Sequence, residues 1–175
     1  MKKVMHTISI TAVLLMGFSI VFYYFLELPV AKPFAITFGT TAYHFLMRLV
    51  VGGAFDRFMN NRADYSRKWY QCRAWEDRVY KWLRVKQWKR KMPSYHADLF
   101  NPKLHSWNEI AQAMCQAELV HEVIVILSFV PILFSCWFGE LFVFMITSVC
   151  AAMFDMLFVM MQRYNRQRVV KLINR

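Results

Sequence analysis

Two apolar segments of this chain carry ionisable side chains at the three- and four-residue spacing of a single helix face. Glu118, His121 and Glu122 stand at the start of one segment, and His44 and Arg48 lie four residues apart in another. Ionisable groups are costly in lipid, so they normally face a bundle interior and usually have a function there. The two faces are therefore the first candidates for an active site.

The chemistry that these residue types support is proton transfer. Imidazole titrates near neutral pH and can remove a hydroxyl proton, so His121, or else His44, is predicted as the general base. A carboxylate such as Glu118 can orient the histidine, and Arg48 or Arg163 can stabilise the developing negative charge. The structural alternative is that Glu118 and Glu122 neutralise Arg48 in a buried ion network that fixes the helix register.

Further polar residues are predicted to contact a substrate. Asp155 lies in the middle of the last apolar segment, where it could pair with Arg48, bind a substrate hydroxyl or serve only in packing. Arginines and lysines near the ends of apolar segments match phosphate or carboxylate groups. The predicted substrate-binding set is Arg163, Tyr164, Asn165, Arg166, Arg168, Trp88, Lys89, Glu122 and Asp155. The alternative for the basic members is an anchor for anionic lipid.

Several kinds of site are not predicted. The four cysteines lack a C-x-x-C pair and the stretch after His121 is not a zincin motif, so neither a metal nor another cofactor is expected. The chain has no nucleophile elbow, no Walker loop and no dinucleotide fingerprint. No histidine is followed at the fifth position by the aspartate that glycerolipid acyltransferases use. An active site of the kind found in soluble enzymes is therefore not expected.

The elements that must position these residues are membrane helices. Hydrophobic residues make up 58% of the 175-residue chain and are concentrated in blocks of lipid-spanning length. The sequence predicts an all-α, polytopic fold with four transmembrane helices in a single membrane domain, residues 1–175. The predicted spans are residues 8–28, 34–54, 118–134 and 141–161. Residues 56–117 form a basic, Trp-rich segment between the second and third spans, and residues 162–175 a basic tail.

The charge distribution predicts the orientation. The chain has 22 Lys and Arg against 11 Asp and Glu, a net charge of +11, and its basic residues cluster on one side of the four predicted spans. The positive-inside rule then places both termini and the central segment in the cytoplasm, in a multi-pass protein of the cell membrane. Each basic region adjoins a lipid-length segment, so the lipid bilayer is the expected partner and nucleic acid is not.

The central segment has a helical pattern of its own. Its apolar stripe repeats at three- and four-residue steps and consists of Trp69, Cys72, Trp75, Val79, Trp82 and Val85. This pattern predicts an amphipathic helix, ended by Pro93, with tryptophan rings at headgroup depth and basic side chains near the lipid phosphates. The alternative is an ordinary helix packed on the cytoplasmic ends of the spans.

Three stretches of the chain resemble, in order and spacing, the glycosyl-4,4'-diaponeurosporenoate acyltransferases, small bacterial membrane enzymes of the staphyloxanthin pathway. They are residues 85–91, 117–121 and 162–168, and the similarity covers roughly residues 75–172. The chain departs from the family pattern at Gln167, where the family often has proline. By position, the resemblance implies functional roles for Glu118, His121, Arg163, Tyr164, Asn165 and Arg166, with Trp88 and Lys89 behind them.

The resemblance implies that a fatty acyl chain is esterified onto a sugar hydroxyl of a glycosylated carotenoid or a similar glycolipid. The expected partners are then a glycolipid acceptor and an acyl donor, which could be acyl-CoA, acyl carrier protein or a phospholipid. A non-catalytic membrane subunit or scaffold, with buried ion pairs and lipid-binding basic segments, is the alternative from another class of protein. A different membrane transferase, acting on an isoprenoid lipid, is a third possibility.

Overall fold

The computed structural model describes residues 2–92 and 97–174, and all regular structure among these residues is helical. The long helices are α1 (Lys2–Phe25), α2 (Ala31–Met59), α5 (Trp107–Leu127) and α8 (Leu141–Ile173). The short helices are α3 (Ala74–Trp82), α4 (Val85–Trp88), α6 (Val130–Leu133) and α7 (Ser135–Phe138). Single 3₁₀ turns at Lys68–Tyr70, Lys89–Lys91 and Ala97–Phe100 complete the order.

Four helical segments are long and apolar enough to cross a membrane. They are Lys3–Phe25, Ala31–Met59, Trp107–Phe138 and Leu141–Ile173. A helix rises about 1.5 Å per residue, so about 20 residues cross the hydrocarbon core, and each of these segments exceeds that length. The predicted all-α, four-span polytopic fold is confirmed.

Helix α5 begins earlier than the sequence analysis placed the third span. Its first residue is Trp107 rather than Glu118, so the predicted 56–117 segment includes the first turns of this helix. The start is fixed by a capping box: the backbone N–H and hydroxyl of Ser106 donate to Glu109 at 2.8 and 2.9 Å, and the Glu109 N–H donates back to the Ser106 hydroxyl at 3.3 Å. The S-x-x-E signature was present in the sequence and was missed.

Helix α8 extends beyond the predicted fourth span. It continues through the residues predicted as a basic tail and ends at Ile173, whereas Arg175 lies outside the described residues. Neither glycine nor proline occurs between residues 141 and 173, so nothing in the backbone interrupts the helix. The basic motif at residues 162–168 therefore projects from a rigid helix, and its side chains have defined faces.

The third span is not one continuous helix. Pro131 lies at the first turn of α6, where its missing N–H is tolerated, and α5 has already ended at Leu127. After α7 the chain turns at Gly139, whose φ of +69° lies in the region that favours glycine.

The chain divides into two compact units, and the prediction of a single membrane domain stays a prediction. The first unit comprises the residues up to Gly52 together with Val123–Phe154. Within it, the Tyr43 hydroxyl donates to the Leu127 carbonyl at 2.9 Å. A Cβ at Gly39 would lie 3.1 Å from the Met16 sulfur, so a glycine permits the close approach of α1 and α2.

The second unit comprises Gly53–Glu122 and the residues from Asp155 onwards. One buried cluster is formed by Ile110, Ala111, Met114 and Val169, and a second by Ala63, Tyr70 and Cys115. These clusters pack the N-terminal half of α5 against α8 and the chain after α2. They provide the rigid base on which the polar residues of this unit are held.

The Trp-rich segment of the second unit is not one continuous helix. A 3₁₀ turn precedes α3, and Arg84, with a φ of +51°, separates α3 from α4 because its left-handed backbone cannot continue a right-handed helix. Trp69, Trp75 and Trp82 are exposed, at 63%, 52% and 80%. A position at the membrane interface stays a prediction, and Pro93, the predicted helix end, lies outside the described residues.

Candidate active site

A histidine–aspartate pair joins α5 and α8 within the second unit. The Nδ1 atom of His121 lies 2.9 Å from Oδ1 of Asp155, and the imidazole stacks on Phe158 with ring centroids 4.6 Å apart. Asp155 is buried, whereas the His121 side chain is 21% exposed. When Nδ1 carries the proton that it shares with the carboxylate, Nε2 presents its lone pair and can accept a proton.

The acid that contacts His121 differs from the one that the sequence analysis expected. Glu118 was predicted to orient His121, but the carboxylate at Nδ1 is that of Asp155, and Glu118 binds two arginines instead. One sequence signal could have found the pair. Spans joined by a short connector run antiparallel, so residues at similar distances from residues 139–140, such as His121 and Asp155, reach similar depths.

Arg163 is the centre of an ion-pair and hydrogen-bond network in the same unit. All five of its N–H donors have protein acceptors at 2.6 to 3.3 Å. The acceptors are both carboxylate oxygens of Glu76, one carboxylate oxygen of Glu118, and the backbone carbonyls of Trp69 and Gln71. A guanidinium with every donor engaged holds other elements in place and has no N–H left for a substrate oxyanion.

Arg166 and Glu118 form the buried half of this network. Arg166 is 1% exposed and Glu118 is fully buried, and Nη1 of Arg166 bonds the second carboxylate oxygen of Glu118. Nη2 donates to the Tyr70 carbonyl at 2.6 Å, and the guanidinium lies over the Tyr70 ring. Each oxygen of Glu118 thus accepts from a different arginine of α8. Removing one member of such a network leaves buried charge uncompensated, which costs about 3–5 kcal/mol.

The two arginines also hold a short piece of chain, residues 69–72, which we term the strap; it comprises the end of the 3₁₀ turn Lys68–Tyr70 and the two residues that follow. Its first three carbonyls, those of Trp69, Tyr70 and Gln71, accept hydrogen bonds from Arg163 or Arg166. The Cys72 sulfur lies 3.7 Å from the Arg163 carbonyl. The strap therefore ties the Trp-rich segment to α8 through backbone groups, which no side-chain pattern in the sequence could predict.

Burial and charge set the protonation of the groups at the strap. Burial raises the pKa of Cys72 to about 11 and the nearby Glu76 carboxylate adds to the effect, so the thiol stays protonated at neutral pH and is not a nucleophile. Burial raises the pKa of Tyr70 to about 12. For Glu76, burial also acts to raise the pKa, but hydrogen bonds from Arg163 and Tyr80 outweigh it and hold the pKa below its ordinary value.

A second cationic cluster surrounds Tyr164. The Lys89 ammonium lies 4.7 Å from the centroid of the Tyr164 ring and bonds the Asn165 side-chain oxygen. The Arg168 guanidinium lies 6.0 Å from the same ring, and Tyr80 meets this ring edge-on with centroids 5.8 Å apart. Four residues of the predicted substrate-binding set are thus brought together at one place.

The remaining predicted residues of this unit have other partners. The indole N–H of Trp88 donates to the Leu83 carbonyl at 3.0 Å, which closes the turn between α3 and α4. The indole N–H of Trp69 donates to Glu122 at 2.9 Å, and Arg163 approaches the other Glu122 oxygen at 4.0 Å. Trp69, which the sequence analysis treated only as part of an apolar stripe, therefore lies beside the residue that follows His121.

His44 and Arg48 belong to the first unit. Arg48 donates to the His44 carbonyl at 3.0 Å and to the Ala151 carbonyl at 3.4 Å, and it lies 5.7 Å from the Phe45 ring centroid. His44 is buried, with its ring edge-on to Tyr43. Arg48 thus ties α2 to α8 within this unit. The predicted catalytic roles of His44 and Arg48 stay predictions.

Across residues 2–92 and 97–174, no group of three or more His, Cys, Asp or Glu side chains is placed to hold a metal ion. The four cysteines, all in these ranges, are free thiols.

The four apolar helices and the polar cluster of the second unit define a multi-pass membrane protein with a histidine–aspartate pair beside an arginine–glutamate network. Residues 66–175 match the family model of glycosyl-4,4'-diaponeurosporenoate acyltransferase, CrtO, and the chain belongs to this family. The predicted family membership is confirmed. No curated protein and no solved structure matches the chain. The matched range contains the strap, His121, Asp155 and the arginines, whereas His44 and Arg48 precede it.

Proposed function

We propose that this chain transfers a fatty acyl group to a sugar hydroxyl of a glycosylated carotenoid or a similar membrane glycolipid, with His121 as the general base. The observation that carries the proposal is the pairing of a partly exposed imidazole with a buried carboxylate. The family name supports an acyl transfer to a glycosylated carotenoid acid.

In this reaction His121 Nε2 removes the proton of the acceptor hydroxyl as its oxygen attacks the acyl carbonyl carbon. The imidazolium that forms is stabilised by Asp155, and it then returns the proton to the leaving group as the bond between carbonyl carbon and leaving group breaks. Proton transfer by a positioned side chain contributes about 10²–10⁴-fold to a rate. The burial of Asp155 strengthens its interaction with the charged imidazole.

We assign Glu118, Arg163 and Arg166 to the positioning of this pair. Glu118 precedes His121 by one helical turn on α5, and Arg163 follows Asp155 by two turns on α8, so both helices use the same faces for the network and the pair. The bond from Arg163 to Glu118 at 2.6 Å fixes the register in which His121 meets Asp155. Their proposed roles are therefore indirect, and neither arginine is proposed to bind the oxyanion.

The acceptor headgroup is proposed to lie against Trp69 and Glu122. The indole of Trp69 is fixed by its bond to Glu122 yet 63% exposed, which leaves an apolar ring surface open beside the Glu122 carboxylate. Carboxylates accept hydrogen bonds from hydroxyl groups, and an aromatic ring offers an apolar surface to the C–H groups of a sugar. A glycosylated lipid with its sugar at the membrane surface fits this arrangement.

The distribution of basic residues indicates where the protein lies in the cell. We propose that the protein lies in the cell membrane with both termini and the Trp-rich segment in the cytoplasm, because the basic residues concentrate there under the positive-inside rule. The exposed tryptophans and neighbouring basic residues would then lie at the inner lipid surface. The acyl donor would reach the site from the cytoplasm.

The test is an acyl-transfer assay with the purified protein in lipid nanodiscs. A glucosylated apocarotenoid acid serves as acceptor, and the ester is measured by mass spectrometry. His121→Gln is expected to lower the rate 10²–10⁴-fold, because Gln cannot cycle a proton at neutral pH. His105→Gln is the matched control, since His105 lies in the same unit before α5 and is expected to leave the rate unchanged. Full activity of His121→Gln would exclude the proposal.

A non-catalytic membrane subunit is the second candidate, and the saturated donors of Arg163 favour it because such a network serves stability alone. The two candidate functions predict different results in cells from which the chromosomal gene for this protein has been deleted. If His121→Gln restores the acylated glycolipid as well as the unaltered protein does, the subunit reading holds. If only the unaltered protein restores it, with both proteins at equal abundance, the enzyme reading holds.

A further inference from the structure

The arginines near the end of α8 fall into two groups. Arg163 and Arg166 form salt bridges with buried glutamates, so their charges are neutralised within the second unit. Arg168 is exposed and forms no salt bridge with any residue that the structure describes. Its guanidinium lies 6.0 Å from the centroid of the Tyr164 ring instead. This arginine therefore offers a positive charge to a ligand, whereas the other two hold the fold together.

Lys89 brings a second cation to the same ring from a different element. It belongs to the 3₁₀ turn after α4, and its ammonium lies 4.7 Å from the Tyr164 ring centroid. The side-chain oxygen of Asn165, a neutral group, accepts a hydrogen bond from this ammonium. The ring attracts each cation, while the two positive charges repel each other. An anion placed beside the ring relieves that repulsion.

The hydroxyl of Tyr164 is a third donor at this place. Tyr80 meets the Tyr164 ring edge-on and uses its own hydroxyl to donate to Glu76 at 2.7 Å. Within the described ranges of the chain, the Tyr164 hydroxyl has no such partner. Phosphate oxygens accept hydrogen bonds from hydroxyl, ammonium and guanidinium groups. Lys89, Tyr164 and Arg168 thus supply the donors and the charge of a phosphate site.

This cluster is separate from the histidine–aspartate pair. Tyr164 follows Asp155 by nine residues, which is about two and a half turns of α8 at 3.6 residues per turn. The two side chains therefore leave α8 on opposite faces. A ligand held at Tyr164 does not face His121, so the cluster is a binding site of its own and not a part of the proposed transfer site.

The predicted end of the fourth span places the cluster at the depth of lipid headgroups. That span ends at residue 161, so Tyr164 lies about 4.5 Å beyond it along α8. The headgroup layer is about 5–7 Å deep on each side of the hydrocarbon core. Helix side chains point back toward the N-terminus, and the Arg168 guanidinium accordingly reaches the ring that lies one turn nearer the span.

The helix packed beside the cluster carries exposed tryptophans. Helix α3 contacts α8 through Tyr80, whereas Trp75 and Trp82 are exposed. Arg78 and Lys81, between them in the sequence, are exposed as well. Tryptophan is concentrated at membrane–water interfaces, and a site for a soluble phosphate does not require large apolar rings around it. The exposed indoles therefore favour a lipid as the source of the phosphate.

We propose that Lys89, Tyr164 and Arg168 bind the headgroup phosphate of an anionic phospholipid. The phosphate bridges the turn after α4 and helix α8, and it neutralises two cations that otherwise repel each other. A zwitterionic headgroup brings a cation of its own, so a lipid with net negative charge is preferred. A ligand that binds only the folded state stabilises it, so the lipid strengthens the packing of the Trp-rich segment on α8. This binding does not depend on the proposed acyl transfer.

The experiment titrates dioctanoyl phosphatidylglycerol into the full chain in mild detergent and measures bound lipid by native mass spectrometry. Lys89→Gln and Arg168→Gln are each expected to weaken binding about tenfold, because each removes a charged donor. Tyr164→Phe, which keeps the ring, is expected to weaken it about threefold. Arg168→Lys keeps the charge and should retain most of the binding. Lys103→Gln, an exposed lysine before α5, is the control for net charge and should bind as the unaltered protein does.

Thermal unfolding in nanodiscs gives a second measure. Phosphatidylglycerol in place of phosphatidylcholine is expected to raise the melting temperature of the unaltered protein and of His121→Gln alike. The double variant Lys89→Gln, Arg168→Gln should show little of this rise. Circular dichroism of each variant confirms that the helices are intact, so a loss of binding reports the site.

Three results would overturn the proposal. Equal affinity of Lys89→Gln, Arg168→Gln and the unaltered protein for phosphatidylglycerol would mean that these cations do not bind it. Equal affinity of the unaltered protein for dioctanoyl phosphatidylcholine would exclude a preference for net negative charge. Binding of glycerol 3-phosphate as tight as that of the lipid would show that the site takes a soluble phosphate. A loss of acyl transfer with lipid binding intact bears on the proposed function alone.

Discussion

His121 can accept a proton at Nε2 only while Asp155 holds the other side of its ring. The 2.9 Å contact and the stacking on Phe158 leave the imidazole a single orientation. A histidine that is free to rotate would present Nδ1 and Nε2 in turn, whereas the proposed mechanism needs Nε2 as the proton acceptor. Asp155 therefore makes two contributions at the residue scale, one to orientation and one to the stability of the imidazolium.

The first prediction concerns this acid. Asp155→Asn keeps the shape of the side chain but removes the charge that favours the imidazolium, so we expect kcat to fall about 10²–10⁴-fold with little change in KM for the acceptor. The measurement is steady-state transfer in nanodiscs over a range of acceptor concentrations. Asp98→Asn, an exposed acid in the same unit, is the control. A rise in KM alone would mean that Asp155 binds the substrate.

The second prediction separates positioning from chemistry at Glu118. Glu118→Gln leaves Arg163 and Arg166 with uncompensated charge in a buried place, so we expect the protein to lose about 3–5 kcal/mol of stability. The measurement is unfolding by denaturant in mild detergent, followed by circular dichroism. Glu122→Gln, on the partly exposed neighbour, is expected to cost far less. Equal losses in the two variants would contradict the central place of Glu118.

At the residue scale, the sequence indicated which polar residues matter in this site but not which residues they contact. Glu118 and His121 were singled out by their spacing and Asp155 by its place in the middle of an apolar segment, because ionisable groups avoid lipid. The sequence did not assign the partners of these residues, because periodicity shows which residues share a helix face but not which other helix packs against that face. Arg163 was expected to contact a substrate, but two of its acceptors are carbonyls of the strap, and backbone carbonyls occur at every position of a sequence.

At the scale of elements, the ion pair between Glu76 of α3 and Arg163 of α8 makes the stability of the second unit depend on pH. The pKa of Glu76 lies below its ordinary value of 4.5 because hydrogen bonds from Arg163 and Tyr80 outweigh the effect of burial. A group whose pKa is lowered by folding stabilises the folded state above its unfolded pKa, and that contribution is lost as the pH falls through the folded pKa.

The third prediction follows from this linkage. The melting temperature should fall as the pH drops below about 4.5, the pH at which Glu76 begins to be protonated in the unfolded chain. Glu76→Gln should be less stable at pH 7 and show a shallower fall below pH 4.5. Thermal unfolding between pH 3 and 7 measures both, with Asp77→Asn as the control on the neighbouring acid. Parallel curves for Glu76→Gln and the unaltered protein would contradict the prediction.

The fourth prediction concerns the start of α5. Ser106→Ala removes the hydroxyl of the capping box, so we expect a loss of about 1 kcal/mol in stability with no change in the transfer rate, because the cap lies several turns before His121. Denaturant unfolding and the transfer assay measure the two effects. Ser66→Ala, in a turn outside the helices, is the control. A large loss of activity would mean that this end of α5 contributes to the site.

The elements themselves were largely predictable. Lipid-length apolar blocks and the punctuating prolines predicted four spans because the hydrocarbon core imposes a minimum helix length. The helix ends were less predictable, because an apolar pattern indicates only the lipid-spanning part of a helix. Helix α5 begins before that part, at a capping box, and α8 continues after it because no glycine or proline interrupts the backbone. The Trp-rich stripe did not predict the break after α3, because the left-handed Arg84 has no signature in a hydrophobic pattern. The buried residues of α3 are Glu76 and Tyr80, which lie outside the stripe.

At the scale of the whole molecule, charge asymmetry is the property from which we predict the side of the membrane that the second unit occupies. The basic residues outnumber the acidic ones by two to one and avoid the connectors that follow α1 and α7. Moving several such cations across a membrane against the positive-inside bias is unfavourable, so the proposed site would open to the cytoplasm. A donor made in the cytoplasm could then reach it without crossing the bilayer.

The fifth prediction tests this orientation in intact cells. In a cysteine-free background, Glu140→Cys lies in the connector between α7 and α8, and Lys103→Cys lies at an exposed position before α5. We expect a membrane-impermeant maleimide to label Glu140→Cys in intact cells and to label Lys103→Cys only after the membrane is opened. The reverse pattern would place the strap and the histidine–aspartate pair on the outer side.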